Sequence, residues 1–291
     1  MRPWSTPPAR LESAPLSARL AVMSDPDILV CGYGAMTGAM VDGWLRAGYD
    51  PAAITLYNPR PKPAPAGVEF VTELPAAAPR YLLLGFKPAM LGDVAPAIAH
   101  LAGPGTIVIS VLAGIALSRL GEAFPAASAA VRLMPNLAAA LGKSASVLVA
   151  DGLDAAGRAS VTGLAAMLGS AEWLEGEGQF ELVTALAGSG PAFVYRFIDA
   201  LAGGAAGLGL DPETASRLAL AMTEGAALLA AASPDSPGAL ARKVASPGGM
   251  TQRGLDVLDE GGALDALVAR CLAAARDRGL EMGGKTPPPR A

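Results

Sequence analysis

One histidine, two cysteines, 16% charged residues and 5% aromatics in a chain of 291 residues remove most of the usual catalytic inventories. His100 alone can complete neither a Ser-His-Asp triad nor a His-rich metal site within one chain. No Cys-x-x-Cys pair and no cluster of Asp, Glu and His has the spacing of a metal site, so no metal is expected. Cys31 and Cys271 are far apart in sequence, and Cys31 sits in an apolar run. That argues against a disulfide framework and for a reducing, cytoplasmic setting. A net charge of -4 and a pI near 5.1 leave no basic footprint for nucleic acid or an anionic membrane. The longest uncharged run, Leu101 to Ser118, is interrupted by Gly103, Pro104, Gly105 and Gly114, so it reads as loop, strand and turn rather than a membrane span. Residues 1–23 lack a secretory apolar core and are expected to form a disordered tail, with Met23 as a candidate start. Without a strong acid–base set, the difficult step falls to a bound cofactor, and hydride transfer fits.

What the chain does have begins at Ile28-Leu29-Val30-Cys31-Gly32-Tyr33-Gly34-Ala35-Met36-Thr37-Gly38. An apolar run breaks into closely spaced glycines and passes into a helical pattern over residues 39–47. This is the strand–turn–helix of a dinucleotide site, in which Gly32 allows the tight turn and Gly34 the close approach of a pyrophosphate. The G-x-G-x-x-G fingerprint is imperfect, because Thr37 stands where its third glycine would be. Ile54-Thr55-Leu56-Tyr57 reads as a second strand. It ends in Asn58-Pro59-Arg60 rather than in the acidic residue of NAD-selective sites, and a guanidinium there suits a 2′-phosphate. NADP is therefore the expected cofactor, with NAD as the alternative; a solvated turn arginine is the other reading of Arg60.

Further strand patterns follow at 68–71, 81–86, 107–111, 129–134 and 146–150, with helical patterns from Pro88 toward His100 and from Asp154 to Gly169. Strands alternating with helices predict an α/β unit with a doubly wound parallel sheet. The strand ends at Gly85 to Pro88 (with Phe86 and Lys87), Ala113-Gly114 and Pro135-Asn136 should share the carboxyl edge with the glycine turn, where such sheets bind ligands.

From about residue 177 the strand signals stop. Helices are predicted over 180–187, 192–206, 212–232 (Asp211 cap, Pro212 first), 237–245, 250–259 and 263–282. Several are apolar around most of their circumference, which predicts an intertwined dimer; a compact single-chain bundle is the alternative. Within this half, Ser246-Pro247-Gly248-Gly249-Met250-Thr251-Gln252 places two glycines and a proline before a helix, exposing backbone N–H groups at its positive end. A small carboxylate suits such a nest, and so does an ordinary helix entry.

Taken in order, Gly32-x-Gly34-x-Met36, Lys87-Pro88, Ile109-Ser110-Val111-x-Ala113-Gly114-Ile115, Arg132-x-Met134-Pro135-Asn136, Ala187-Gly188-Ser189-Gly190-Pro191-Ala192 and Ser246-Pro247-Gly248-Gly249-x-Thr251 resemble pyrroline-5-carboxylate reductase. The last two blocks are the specific ones, and the resemblance runs from about Ile28 to Met282. It implies a Rossmann-type NADP-binding domain (24–175) and an all-α dimerisation and substrate domain (176–284); the tails expected over 1–23 and 285–291 have no counterpart in it. It implies NADPH-dependent reduction of a cyclic imine to L-proline by a cytoplasmic homodimer or an oligomer of dimers, with an imino acid as small-molecule partner. The cofactor residues would be Gly32, Gly34, Ala35, Met36, Asn58, Arg60, Phe86, Lys87, Pro88, Ala113, Gly114 and Asn136. Ser246, Gly248, Gly249, Met250 and Thr251 would bind the substrate, with Thr251 catalytic at the ring nitrogen. Ala35-Met36-Thr37 departs from the family's common Asn-Met-Gly. A 3-hydroxyacid dehydrogenase is a poor rival, since the only lysines beyond residue 180 are Lys243 and Lys285. A reductase of a related cyclic imine and a non-catalytic NADP-binding sensor remain as alternatives.

Overall fold

The structure is a computed structural model that describes residues 28–288; the tail expected over 1–23 lies outside the described residues. Two compact units are formed, one by residues 28–189 together with 272–288, the other by residues 190–271.

The first unit is built on an eight-stranded sheet. Its strands are β1 (Ile28–Cys31), β2 (Ile54–Tyr57), β3 (Glu69–Val71), β4 (Tyr81–Leu84), β5 (Ile107–Ser110), β6 (Ala129–Met134), β7 (Ser144–Asp151) and β8 (Gly169–Trp173). The order is β3-β2-β1-β4-β5-β6-β7-β8. The first six stand in the doubly wound order that places a ligand crevice where the winding reverses, between β1 and β4. β1 and β4 are buried along their whole length because both faces are covered. Ile28, Val30, Tyr81 and Leu83 face one core. Leu29, Cys31, Leu82 and Leu84 face the other. Each such aliphatic side chain contributes about 1.5–3 kcal/mol by leaving water. The first core is closed by α1 (Ala35–Arg46) and α4 (Ala155–Ala166), the second by α2 (Leu91–Ile98) and α3 (Leu117–Ala123). The buried Trp44 indole N–H donates to the Leu164 carbonyl at 3.0 Å, tying α1 to α4.

The expected parallel sheet is present, with corrections at its far edge. β7 runs antiparallel to β6. A short excursion over nine residues, Pro135 to Lys143, turns the chain straight back instead of crossing over a face. β8 was not legible in the sequence, because its polar and intermediate positions lack an apolar run. The helix expected over 39–47 begins earlier, at Ala35, because Gly34 already serves as its N-cap. The helix expected over 180–187 splits into α5 (Phe180–Val183) and a π turn at Thr184–Gly188, and both stay within this unit.

The second unit contains α6 (Gly190–Gly207), α7 (Pro212–Ala232), α8 (Pro237–Val244), α9 (Met250–Asp259) and the first part of α10 (Ala263–Met282); the rest of α10 belongs to the first unit. Asp211 and Ser236 cap α7 and α8 with their side-chain oxygens, as the Asp-Pro and Ser-Pro pairs predict. α6 packs on α7 through Ala202, Ala215 and Ala219, the only fully buried cluster in this unit among the described residues. Large apolar side chains are left on the surface, among them Tyr195, Phe197, Leu218, Leu228 and Leu229. Exposed large apolar side chains in this number suit a surface that a partner covers. α7 is also the one helix among the described residues long and apolar enough to cross a membrane by length and composition.

Candidate functional site

The glycine turn lies at the carboxyl end of β1. Gly32 has φ +96°, and a Cβ there would come within 2.7 Å of the Phe86 nitrogen, so the turn sits directly on the end of β4 and accepts only glycine. The Gly32 N–H donates to the Tyr57 carbonyl at 2.9 Å, which brings the end of β2 level with the turn. Thr37, at the irregular fingerprint position, is buried. Its hydroxyl accepts the Gly34 N–H at 2.9 Å and donates to the Gly32 carbonyl at 2.9 Å. It thereby closes the turn internally and occupies the Gly34 N–H. The N–H groups left open toward an anion are those of the first turn of α1, at Ala35, Met36 and Thr37, which have no intrahelical acceptor. Gly34 and Ala35 are exposed, and a Cβ on Gly34 would meet nothing within 4 Å, which leaves room for a pyrophosphate. The residues present therefore fit a dinucleotide.

Asn58 and Arg60 follow β2 at the same edge. The Asn58 amide donates to the Arg60 carbonyl at 2.8 Å and shapes the turn, while Arg60 is exposed. Lys62, which the sequence reading passed over, donates from Nζ to the Tyr33 carbonyl inside the glycine turn. Phe86, Lys87 and Pro88 follow β4, with Lys87 exposed and Pro88 opening a short 3-10 turn.

Two of the residues expected at the cofactor also make contacts within the protein. Asn136 is buried, its amide nitrogen donating to the Ala187 carbonyl at 2.9 Å and its oxygen accepting from the Ala138 N–H at 3.0 Å. It braces the end of β6 against the π turn. Gly114, beside the half-buried Ala113, is covered: a Cβ there would lie 3.0 Å from the Gly283 nitrogen, so the end of α10 seals that position. Below this edge Arg132 is 2% exposed, bonded to Glu177 at 2.7 Å and Glu181 at 2.8 Å, with its guanidinium 3.9 Å from the Phe180 ring centre. Among the described residues no group of three His, Cys, Asp or Glu could hold a metal.

The second candidate site, on the helical unit, is the turn entering α9. Gly248 has φ +70°. The Gly249 N–H donates to the Ser246 carbonyl at 2.9 Å. Gly249 acts by lacking a side chain, since a Cβ would sit 2.4 Å from the Ser246 hydroxyl. The open donors are the first-turn N–H groups of Met250, Thr251 and Gln252. Ser246, Gly248, Met250 and Thr251 are exposed. The turn presents aligned N–H groups and a hydroxyl, with no carboxylate, which is an arrangement for an anion.

Residues 177–282 match the family model for pyrroline-5-carboxylate reductase dimerisation. A pyrroline-5-carboxylate reductase of Pseudomonas aeruginosa is 34% identical over 268 residues, covering 89% of this chain and 98% of its own. That of Pisum sativum is 33% identical, covering 88% and 97%. Among solved structures, a pyrroline-5-carboxylate reductase of Coxiella burnetii superposes with a TM-score of 0.80 at 28% identity, covering 89% of this chain and 99% of its own. The Plasmodium falciparum pyrroline carboxylate reductase, solved with NADP bound, shares the fold with a TM-score of 0.76 at 21% identity, covering 89% and 100%.

Proposed function

This chain belongs to the pyrroline-5-carboxylate reductase family, and we propose how its own residues serve the family's reaction, the NADPH-dependent reduction of 1-pyrroline-5-carboxylate to L-proline that ends proline biosynthesis. The observation that carries the reading is the Ser246–Gln252 turn, whose helix-start N–H groups and free hydroxyl fit an imino acid carboxylate.

The nucleotide-binding part is the sheet unit. The Ala35, Met36 and Thr37 amides at the positive end of α1 take the pyrophosphate, and Arg60 takes the 2′-phosphate. Phe86, Lys87 and Pro88 line the nicotinamide side. Bound NADPH supplies a hydride to the imine carbon. Met250, Thr251 and Gln252 hold the substrate carboxylate by their amides, which fixes the ring; placing two reactants in attack geometry can contribute roughly 7–11 kcal/mol. The Thr251 hydroxyl hydrogen-bonds the ring nitrogen. Residues 246–252 include no Asp, Glu or His. The substrate therefore arrives with its nitrogen protonated, and its own titration sets the pH profile. The helical unit associates as a homodimer, the smallest assembly that covers its apolar faces. The free cysteines Cys31 and Cys271 suit a cytoplasmic setting.

Replacing Thr251 with Ala tests the assignment. Loss of a hydrogen bond to a charged substrate group lowers kcat/KM by about 10- to 100-fold, from roughly 1.5–3 kcal/mol. Unchanged turnover and KM would remove Thr251 from the site. Offering a six-membered imine homologue alongside distinguishes the five-membered ring from its relatives.

A further inference from the structure

The segment that follows β2 reads Asn58-Pro59-Arg60-Pro61-Lys62-Pro63-Ala64-Pro65. Proline occupies every second position, fixing its own φ, and each intervening residue precedes a proline and is confined to extended conformations. No residue from 58 to 65 retains ordinary backbone freedom. The arm forms no regular hydrogen-bonded structure over 61–65, and its stiffness comes from covalent geometry. It is anchored at its root, where Gly32 bonds Tyr57, and again at Ala64, which packs against the first core. Between the anchors it carries two cations, Arg60 and Lys62.

Lys62 is the informative one. Its ammonium reaches the Tyr33 carbonyl, in the middle of the glycine turn and 29 residues away in sequence. It pairs with no carboxylate among the described residues, so its charge is uncompensated. An ammonium has three N–H donors, and the carbonyl uses one. Two donors remain, at the junction of the glycine turn and the end of β2, where the ribose that distinguishes the two nicotinamide dinucleotides is bound in sheets of this kind.

We propose that Lys62, held on the Tyr33 carbonyl by the proline-alternating arm, is the second cation of the 2′-phosphate site and sets the preference for NADPH over NADH together with Arg60. This rests on the dinucleotide reading of the glycine turn. Because the arm is rigid before the ligand arrives, little ordering entropy opposes the contact, and the two charges are held in place rather than recruited. A phosphate meets a charge-assisted donor on each cation.

The test measures binding to the full chain by calorimetry, with NADPH, NADH and adenosine 2′,5′-bisphosphate as ligands, in wild type, Lys62→Met, Arg60→Met and Pro61→Gly/Pro63→Gly. Lys62→Met is expected to weaken NADPH and the bisphosphate about tenfold and to leave NADH within about twofold, with a shallower salt dependence for NADPH. The glycine double variant keeps both charges and is expected to weaken NADPH by about two- to fivefold per proline. Equal weakening of NADPH and NADH by Lys62→Met would reduce Lys62 to a brace of the glycine turn and overturn the proposal, as would no effect on either. Failure of wild type to bind any of the three ligands would instead overturn the dinucleotide reading itself.

Discussion

Gly114 and Gly283 meet backbone to backbone. A Cβ on Gly114 would lie 3.0 Å from the Gly283 nitrogen, and a Cβ on Gly283 would lie 2.8 Å from the Gly114 carbonyl oxygen. Gly114 also has φ +74°. The contact seats the end of α10 on the loop that follows β5, and the Lys285 N–H closes that helix end by bonding the Leu280 carbonyl at 2.9 Å.

Gly283→Ala is therefore expected to lower the thermal midpoint, since the new methyl meets backbone that cannot move aside. Gly114→Ala is expected to do so more, adding about 1–2 kcal/mol of left-handed strain to the same overlap. Calorimetric unfolding checks both, and a midpoint unchanged in Gly114→Ala would mean that the loop relaxes freely.

Thr37 makes a second test. Thr37→Val keeps the shape but strands the Gly32 carbonyl and the Gly34 N–H, at a cost of about 1–3 kcal/mol. Stability should fall and NADPH should bind more weakly as the turn loosens. Thr37→Ser should restore both, because the hydroxyl carries the two bonds. A Val variant that keeps wild-type stability and NADPH binding while the Ser variant loses them would show that the methyl, not the hydroxyl, holds the turn.

Arg132 is a buried charge of the sheet unit. Arg132→Met leaves Glu177 and Glu181 facing each other in a confined space, and breaking a buried pair in this way costs about 3–5 kcal/mol. The triple variant Arg132→Met, Glu177→Gln, Glu181→Gln is expected to recover much of the loss. Urea denaturation distinguishes the two; a single variant as stable as wild type would mean that the carboxylates find other partners.

Asp211 gives a pH dependence. Hydrogen bonds from the Thr214 N–H and then from its hydroxyl hold this carboxyl below its ordinary range. A depressed carboxylate contributes stability that is fully present above its unfolded-state value and disappears as the pH falls through its folded-state value. Asp211→Ala should therefore melt below wild type at neutral pH, and the gap should narrow in acid. A gap independent of pH from neutral down to about 3 would assign the effect to helix propensity.

The sequence by itself determined the elements whose causes are local. The apolar run at 28–31 read as a strand, the run from 81 as a strand buried on both faces, and Asp211-Pro212 and Ser236-Pro237 as helix starts. The glycines at 32 and 248 announced turns that require positive φ. It also pointed to self-association, because several helices of the second half are apolar around most of their circumference. Only the tertiary structure decided which polar groups remained free. A hydrogen-bonding group serves a ligand only when no distant part of the chain has already engaged it. Asn136 turned out to brace Ala187, Gly114 to lie under Gly283, and the Gly249 N–H to be bonded to Ser246. Lys62 was drawn onto Tyr33 by an arm whose reach no spacing rule contains. The reversed direction of β7 and the presence of β8 were settled by hydrogen bonding between neighbouring strands, which no local pattern records.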